Sequence, residues 1–273
     1  MDAVCGGPMS FRSRLERSSH TAFIDDGVLY VWGGYQVTDY ILVCIFDREQ
    51  RELTGDVPPD LNGFCGSYLN GTLYIFAGSD GGGYTNDMFT VNLRSECYVW
   101  KRLTNINGKT PSPRTKHSCW VYRDRLIYFG GYGCKTVGDV QNSSPSSFTV
   151  EEMSWVRKLC WGWNNEVNVF DTLTSTWSLP ETKGSAPEPR GCHAAAILGS
   201  KGYITGGVVI MSLSFFFRIS SGSPAPMGRT MHSMTATPDG TLFVYGGFGT
   251  YGPTLSMFSF SIIQIFIHFR PNI

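Results

Sequence analysis

A chain of 273 residues with 22 basic and 22 acidic side chains carries no formal net charge, and charged residues make up only 16% of it. That balance excludes the broad positive field by which proteins gather nucleic acid. Thirty-two glycines and 14% aromatics instead suit many short strands joined by tight turns.

Residues 1–16 read as an N-terminal tail without an apolar core; Arg12 and Arg14 lie within it, so no signal peptide is expected. From Arg17 a phrase begins that recurs along the chain. An Arg-x-x-His leads into a hairpin that ends in a glycine doublet: Arg17/His20 to Gly33-Gly34, Arg114/His117 to Gly130-Gly131, Arg190/His193 to Gly206-Gly207, and Arg229/His232 to Gly246-Gly247. The distance from His to the first Gly is 13 residues in three copies and 14 in the last. A degenerate copy has Leu61 and Phe64 in place of Arg and His and ends at Ala77-Gly78. In the first copy residues 20–24 form one strand, Asp26-Gly27 the turn and 28–32 the return. Asn70-Gly71 and Asp239-Gly240 hold the same place in their copies, and such pairs are preferred two-residue hairpin turns.

A second, looser hairpin follows, clearest at 86–103 and 166–180, each with a tryptophan near its end (Trp100, Trp177). Proline-rich connections then lead into the next copy. Two hairpins per unit predict four-stranded blades, and a fixed period of about 40–50 residues predicts a radial array of them. The apolar run 208–217 fits a blade strand, an inserted loop or a stretch foreign to the fold. Beyond residue 254 the chain reads as a strand-like apolar tail, 255–273. There Phe258, Phe260 and Ile262 alternate with serines, and the phase flips after Ile263, which predicts one bulged strand. No window is long and apolar enough for a membrane helix.

Hairpins begin and end at one edge, so the residues before each His and after each doublet should share a rim. Candidates there are Ser18, Ser19 and Tyr35; Thr115, Lys116 and Tyr132; Gly191, Cys192 and Val208; and Thr230, Met231 and Phe248. The arginines and histidines are expected to brace blade edges through backbone carbonyls. One histidine per blade gives no shared metal site, and no metal or other cofactor is expected. The eight cysteines form no C-x-x-C pair, which predicts free thiols in a reduced cytoplasmic or nuclear compartment, with a disulfide framework as the minor reading. Cys119 and Cys192 have no partner base that would make them nucleophiles.

Glycine doublet, spaced Tyr and Trp, and a period near about 50 residues across 17–254 resemble the kelch repeat. The resemblance implies an all-β propeller, with five recognisable blades of six, one incomplete, and a ring that is not certain to close. ERSSH…YVWGGY, SCWVYRDRLIYFGGYGC (118–134) and WGWNNEVNVFDT (161–172) resemble the kelch domain-containing protein 1 and 2 subfamily in particular. Those are substrate receptors of cullin-RING ubiquitin ligases that read a C-terminal Gly-Gly. The resemblance implies a non-enzymatic receptor whose peptide pocket is lined by Lys116, Tyr132, Trp163 and Thr230. Trp163 reads equally as a packing residue. The resemblance also implies an arginine directly after Gly206-Gly207 and another five residues on, where this chain has Val208 and Leu213; Arg218 lies too far along to stand in for either. An elongin–cullin scaffold is the implied partner, though no C-terminal helical docking segment is visible before Ile273. The alternatives are a scaffold module binding through its blade faces, or a splice fragment.

Overall fold

The computed structural model describes residues 19–34, 53–209, 212–213, 228–249, 252–253, 257–260 and 267–268. The expectations for Arg17, Ser18, Tyr35, Arg218 and the 1–16 tail fall outside them.

Each phrase is a hairpin: Thr21–Asp25 with Val28–Trp32, Cys65–Leu69 with Thr72–Asp80, Ser118–Tyr122 with Arg125–Phe129, Ala194–Leu198 with Lys201–Thr205, and Ser233–Ala236 with Leu242–Tyr245. The first strand starts one residue later than the sequence suggests. Asp26-Gly27 and Asn70-Gly71 both take positive φ at both positions, the twist-matched turn that Asp-Gly and Asn-Gly favour. Asp239-Gly240 does not form that turn. Ala236 pairs with Leu242 across a loop in which only Gly240 has positive φ. Pro238 is the reason: it has no N–H for the ladder position that a two-residue turn would give it. The loop closes instead through Thr237 N–H to the Thr241 carbonyl (2.9 Å) and Gly240 N–H to the Thr237 carbonyl (3.0 Å).

The second hairpins form where expected, Gly83–Asn92 with Tyr98–Arg102 and Val167–Asp171 with Thr176–Ser178. They complete two blades of antiparallel strands, one of them extended by Leu53–Gly55 running parallel to Tyr98–Arg102. Between Phe129 and Val167 the chain leaves its blade. Strands Tyr132–Thr136, Phe148–Ser154 and Leu159–Asn164, with helix α1 (Val137–Gln141), build a separate sheet against Arg114–Thr115. This rim sheet was not legible as a unit in the sequence.

The last two hairpins each gain a third strand from the C-terminal stretch: Met257–Phe260 pairs with Leu242–Tyr245, and Ile267–His268 with Lys201–Gly202. The described ends of this stretch therefore lie in two different sheets; the phase flip after Ile263 falls outside the described residues. Val208–Val209 and Ser212–Leu213 form a two-stranded ladder of their own.

First strands of successive hairpins touch in chain order, 21–25 to 65–69 to 118–122 to 194–198 to 233–236. The core is correspondingly divided into clusters between neighbouring sheets. Trp32 meets Trp100 with ring centroids 4.3 Å apart, and Phe76, Tyr128, Phe170 and Trp177 fill the next interface. Trp120, Ile127, Phe129 and Val169 follow, then Ala196, Tyr203, Leu242 and Val244. Trp120 also donates its indole N–H across an interface to the Ala196 carbonyl (2.9 Å). Among the described residues no strand pairing joins the first hairpin to the last.

Candidate functional site

The rim follows from the repeat. Beyond four of the five hairpins the chain pairs with the residues just ahead of its own His or Phe64 position: Asn62 with Ser79, Arg114–Thr115 with Tyr132–Gly133, Gly191 with Val208, and Arg229–Thr230 with Phe248–Gly249. The residue two after each Arg position has positive φ in all five copies: Ser19, Gly63, Lys116, Cys192 and Met231. That twist turns the peptide groups toward the next copy and links them in series. Lys116 N–H donates to the Gly63 carbonyl (2.8 Å), Cys192 N–H to Lys116 (2.9 Å) and Met231 N–H to Cys192 (2.9 Å). A backbone rosette results.

The arginines hold this rosette from beneath, as expected. Arg114, Arg190 and Arg229 are almost fully buried, and each donates from Nη1 to the carbonyl of the first glycine of its own doublet (3.2, 3.1 and 3.1 Å). The second glycine then donates to the next copy's arginine carbonyl, Gly131 to Arg190 (2.8 Å) and Gly207 to Arg229 (3.0 Å). A side chain on Gly130 would stand 2.7 Å from the Arg190 carbonyl oxygen. Here glycine is needed for close approach as well as for its φ of +71°. The histidines fill the adjoining space, and His193 Nε2 meets the Ser118 hydroxyl of the preceding blade (2.7 Å). Burial, then the charge of Arg190, then His232, holds the His193 imidazole down to about 3, so it is neutral near pH 7.

The rim sheet supplies the wall. Its register sets Thr115, Tyr132, Trp163 and Thr149 in one row across four strands. Cross-strand neighbours share a face, so the row forms one surface. Tyr132 and Trp163 meet edge to face at 4.8 Å, and Tyr84 from the neighbouring blade meets Tyr132 at 5.9 Å. Trp163 is both packing residue and wall. Its ring edge closes over Gly191, where a side chain would stand 2.5 Å from it, and its indole N–H donates to Glu151 (2.6 Å). Lys116 is exposed on the rosette. Its charge reaches Cys192, whose thiol is pushed up by burial and pulled back by Lys116 and by the Thr230 hydroxyl beside it. Lys116, Cys192 and Thr230 thus converge although they come from three different copies.

Under the wall lies an ionic cluster. Arg114 bonds Ser112, Gly130, Asn164 and Glu166, and Glu166 also pairs with the buried Lys135. Burial pushes the Glu166 carboxyl up, but Arg114 and Lys135 outweigh it and hold it below the usual carboxylate range.

The residues predicted for the pocket therefore lie on one rim: Lys116 and Thr230 on the rosette side, Tyr132 and Trp163 on the rim sheet. Sequence reasoning missed Tyr84, Glu151 and Glu152. The pair of consecutive carboxylates facing a WGW segment was the available signal. Val208 is half-buried and pairs with Leu213 across the two-stranded ladder, so neither position brings a cation to the rim. Among the described residues no three His, Cys, Asp or Glu side chains are placed to share a metal, and no helix is long and apolar enough to cross a membrane.

Comparison with known proteins is consistent with this geometry. Residues 19–212 match the model of the KLHDC2/KLHL20/DRC7 Kelch-repeats domain. Kelch domain-containing protein 1 of Mus musculus is 40% identical over 267 residues, covering 88% of this chain and 65% of the relative. Kelch domain-containing protein 2 of Bos taurus is 33% identical over 270 residues, covering 88% and 65%. The chain thus spans slightly under two thirds of the length of these relatives. The solved structure of YjhT superposes with a TM-score of 0.55 at 17% identity, covering 85% of this chain and 72% of that one, which supports the fold.

Proposed function

The chain belongs to the kelch-repeat family, in the group of kelch domain-containing proteins 1 and 2, and from that premise we propose that its rim captures the C-terminal segment of a partner protein, as the substrate-recognition part of a cullin-RING ubiquitin ligase. Kelch domains of this kind are protein-interaction modules. One observation carries the finer reading: Lys116 stands on the rosette with Cys192 and Thr230, next to the Tyr132–Trp163 wall. A terminal carboxylate needs cationic or hydroxyl donors to offset its desolvation, and an aromatic wall suits the backbone and small side chains that precede it. With Val208 and Leu213 where the subfamily resemblance implies arginines, the clamp rests on Lys116 and Thr230, and capture is correspondingly weak. Non-catalytic action agrees with the raised thiol of Cys192, which makes it a poor nucleophile.

The test is a polarisation titration of a labelled peptide ending in Gly-Gly. Amidating its C-terminus, or replacing Lys116→Glu, should weaken binding about tenfold or more. Unchanged affinity for both would refute the proposal. A second reading, docking through the outer turn of the rim sheet, is favoured by Trp155 and Val156, 74% and 95% exposed at the tip of the 154–159 turn. In that case Trp155→Ser, rather than Lys116→Glu, would abolish partner capture.

A further inference from the structure

The rim sheet carries a feature that terminal-carboxylate capture does not use. Strand Phe148–Ser154 shifts register between Val150 and Glu152, leaving Glu151 as the extra residue of a bulge. Glu152 then pairs with Trp161, which pairs with Cys134, and Cys134 lies two residues beyond Tyr132 on the same face. Glu151, displaced by the bulge, reaches the indole N–H of Trp163 on that face as well (2.6 Å). Without the bulge, consecutive residues would point to opposite sides. The bulge therefore brings two carboxylates to the edge of an aromatic corner made by Tyr84, Tyr132 and Trp163, whose rings stand at 68° and 65° to one another.

Both carboxylates are exposed, and neither forms an ion pair with the described cationic side chains. Their charge is felt inside the corner. Tyr132 is pushed up by burial and then by Tyr84, Glu151 and Glu152, and Tyr84 by burial, Cys134 and Glu152. Aromatic rings steeply inclined to one another, rimmed by carboxylates without a cationic partner, attract a desolvating cation through ring quadrupole and charge together.

We propose that the Tyr84–Tyr132–Trp163 corner with Glu151 and Glu152 selects a basic side chain, lysine or arginine, in the peptide held by the rim. The proposal rests on the C-terminal-capture reading and adds a second anchor to it. Spacing follows from the register. Lys116 adjoins the first strand of the row and Glu152 lies on the fourth, three strand spacings away, or about 14 Å. An extended peptide covers that in about four residues, which puts the basic side chain four or so positions before the terminal carboxylate.

The experiment compares four labelled peptides ending in Gly-Gly, with Lys or Glu at the fourth position upstream, each as free acid and as amide. They are titrated at low salt against the wild type and the Glu151→Gln/Glu152→Gln variant. The wild type should prefer Lys over Glu about tenfold, and the variant less than about threefold with an unchanged melting temperature. The preference should persist in the amides, at lower affinity. Binding of the free acids without preference for Lys, or a preference untouched by the double substitution, would overturn the cation corner and leave carboxylate capture standing. A persistent Lys preference with no effect of amidation would overturn carboxylate capture and leave the corner. No binding by any of the four would overturn both.

Discussion

Arg114 offers the sharpest test of how the repeat holds its rim. Its side chain is fully buried, and its Nε, Nη1 and Nη2 atoms donate to the Ser112 carbonyl, the Gly130 carbonyl, Asn164 Oδ1, the Ser112 hydroxyl and Glu166 Oε2 at 2.9–3.2 Å. Those five bonds match the five N–H donors of a guanidinium, so burial leaves none unmet. Burial nonetheless lowers its proton affinity, opposed by Glu166. Arg114→Met keeps much of the volume and removes every donor. Glu166 retains Lys135, which puts the cost of breaking the charge cluster at the low end of the range for a buried pair, about 3 kcal/mol. An unmet Gly130 carbonyl adds about 1–3 kcal/mol. The sum, about 4–6 kcal/mol, is a large part of the 5–15 kcal/mol that stabilises a typical domain. Urea unfolding should show a much lower midpoint at an unchanged slope, and Arg114→Lys should recover only part of the loss because a single ammonium cannot span the fork. A loss below about 1 kcal/mol for Arg114→Met would refute the claim that the repeated arginine holds the rim.

Acid should loosen the same layer. Burial and neighbouring charge hold His193 down to about 3 and His232 to about 4, so an unfolded chain takes up protons below about pH 6.5 that the native one refuses. Stability from this source is full above that pH and is lost as pH falls toward the folded values, about 2.5 kcal/mol per histidine by pH 4.5; equal urea midpoints at pH 7 and 4.5 would contradict it. Gly130→Ala should cost about 2–4 kcal/mol, because its methyl meets the Arg190 carbonyl, whereas Gly27→Ala, with a similar φ and open space, should cost about 1–2. Equal melting shifts would mean the doublet exists for its φ alone. Trp120→Phe keeps the interface ring but removes the indole donor to the Ala196 carbonyl, and urea unfolding should show a loss of about 0.5–1.5 kcal/mol; no measurable loss would remove that bond from the interface.

Local chemistry made most of the framework legible. Asp26-Gly27 and Asn70-Gly71 close their hairpins because Asn, Asp and Gly tolerate positive φ, which is written in the residues themselves. The Arg-x-x-His to Gly-Gly phrase fixed which residues share a rim, since a hairpin returns to its own edge. Lys116, Tyr132, Trp163 and Thr230 could be named on that basis together with the family resemblance, and all four lie on the rim. Where the reading failed, a neighbour decided. Asp239-Gly240 lost its two-residue turn to the proline before it.

The sequence by itself determined the repeat, the turns at Asp26-Gly27 and Asn70-Gly71 and the arginines that brace the blade edges, because these depend on spacings within one copy. Only the tertiary structure decided what lies between copies. The rosette of Gly63, Lys116, Cys192 and Met231 joins residues far apart in the chain, and the split of the C-terminal stretch between two sheets depends on which edges stand open. The carboxylate pair reached the aromatic corner through a single bulge, and a one-residue shift of register decides which face a side chain occupies. Such shifts are settled by the partner strand, which is why the wall of the site became visible only once the strands were paired.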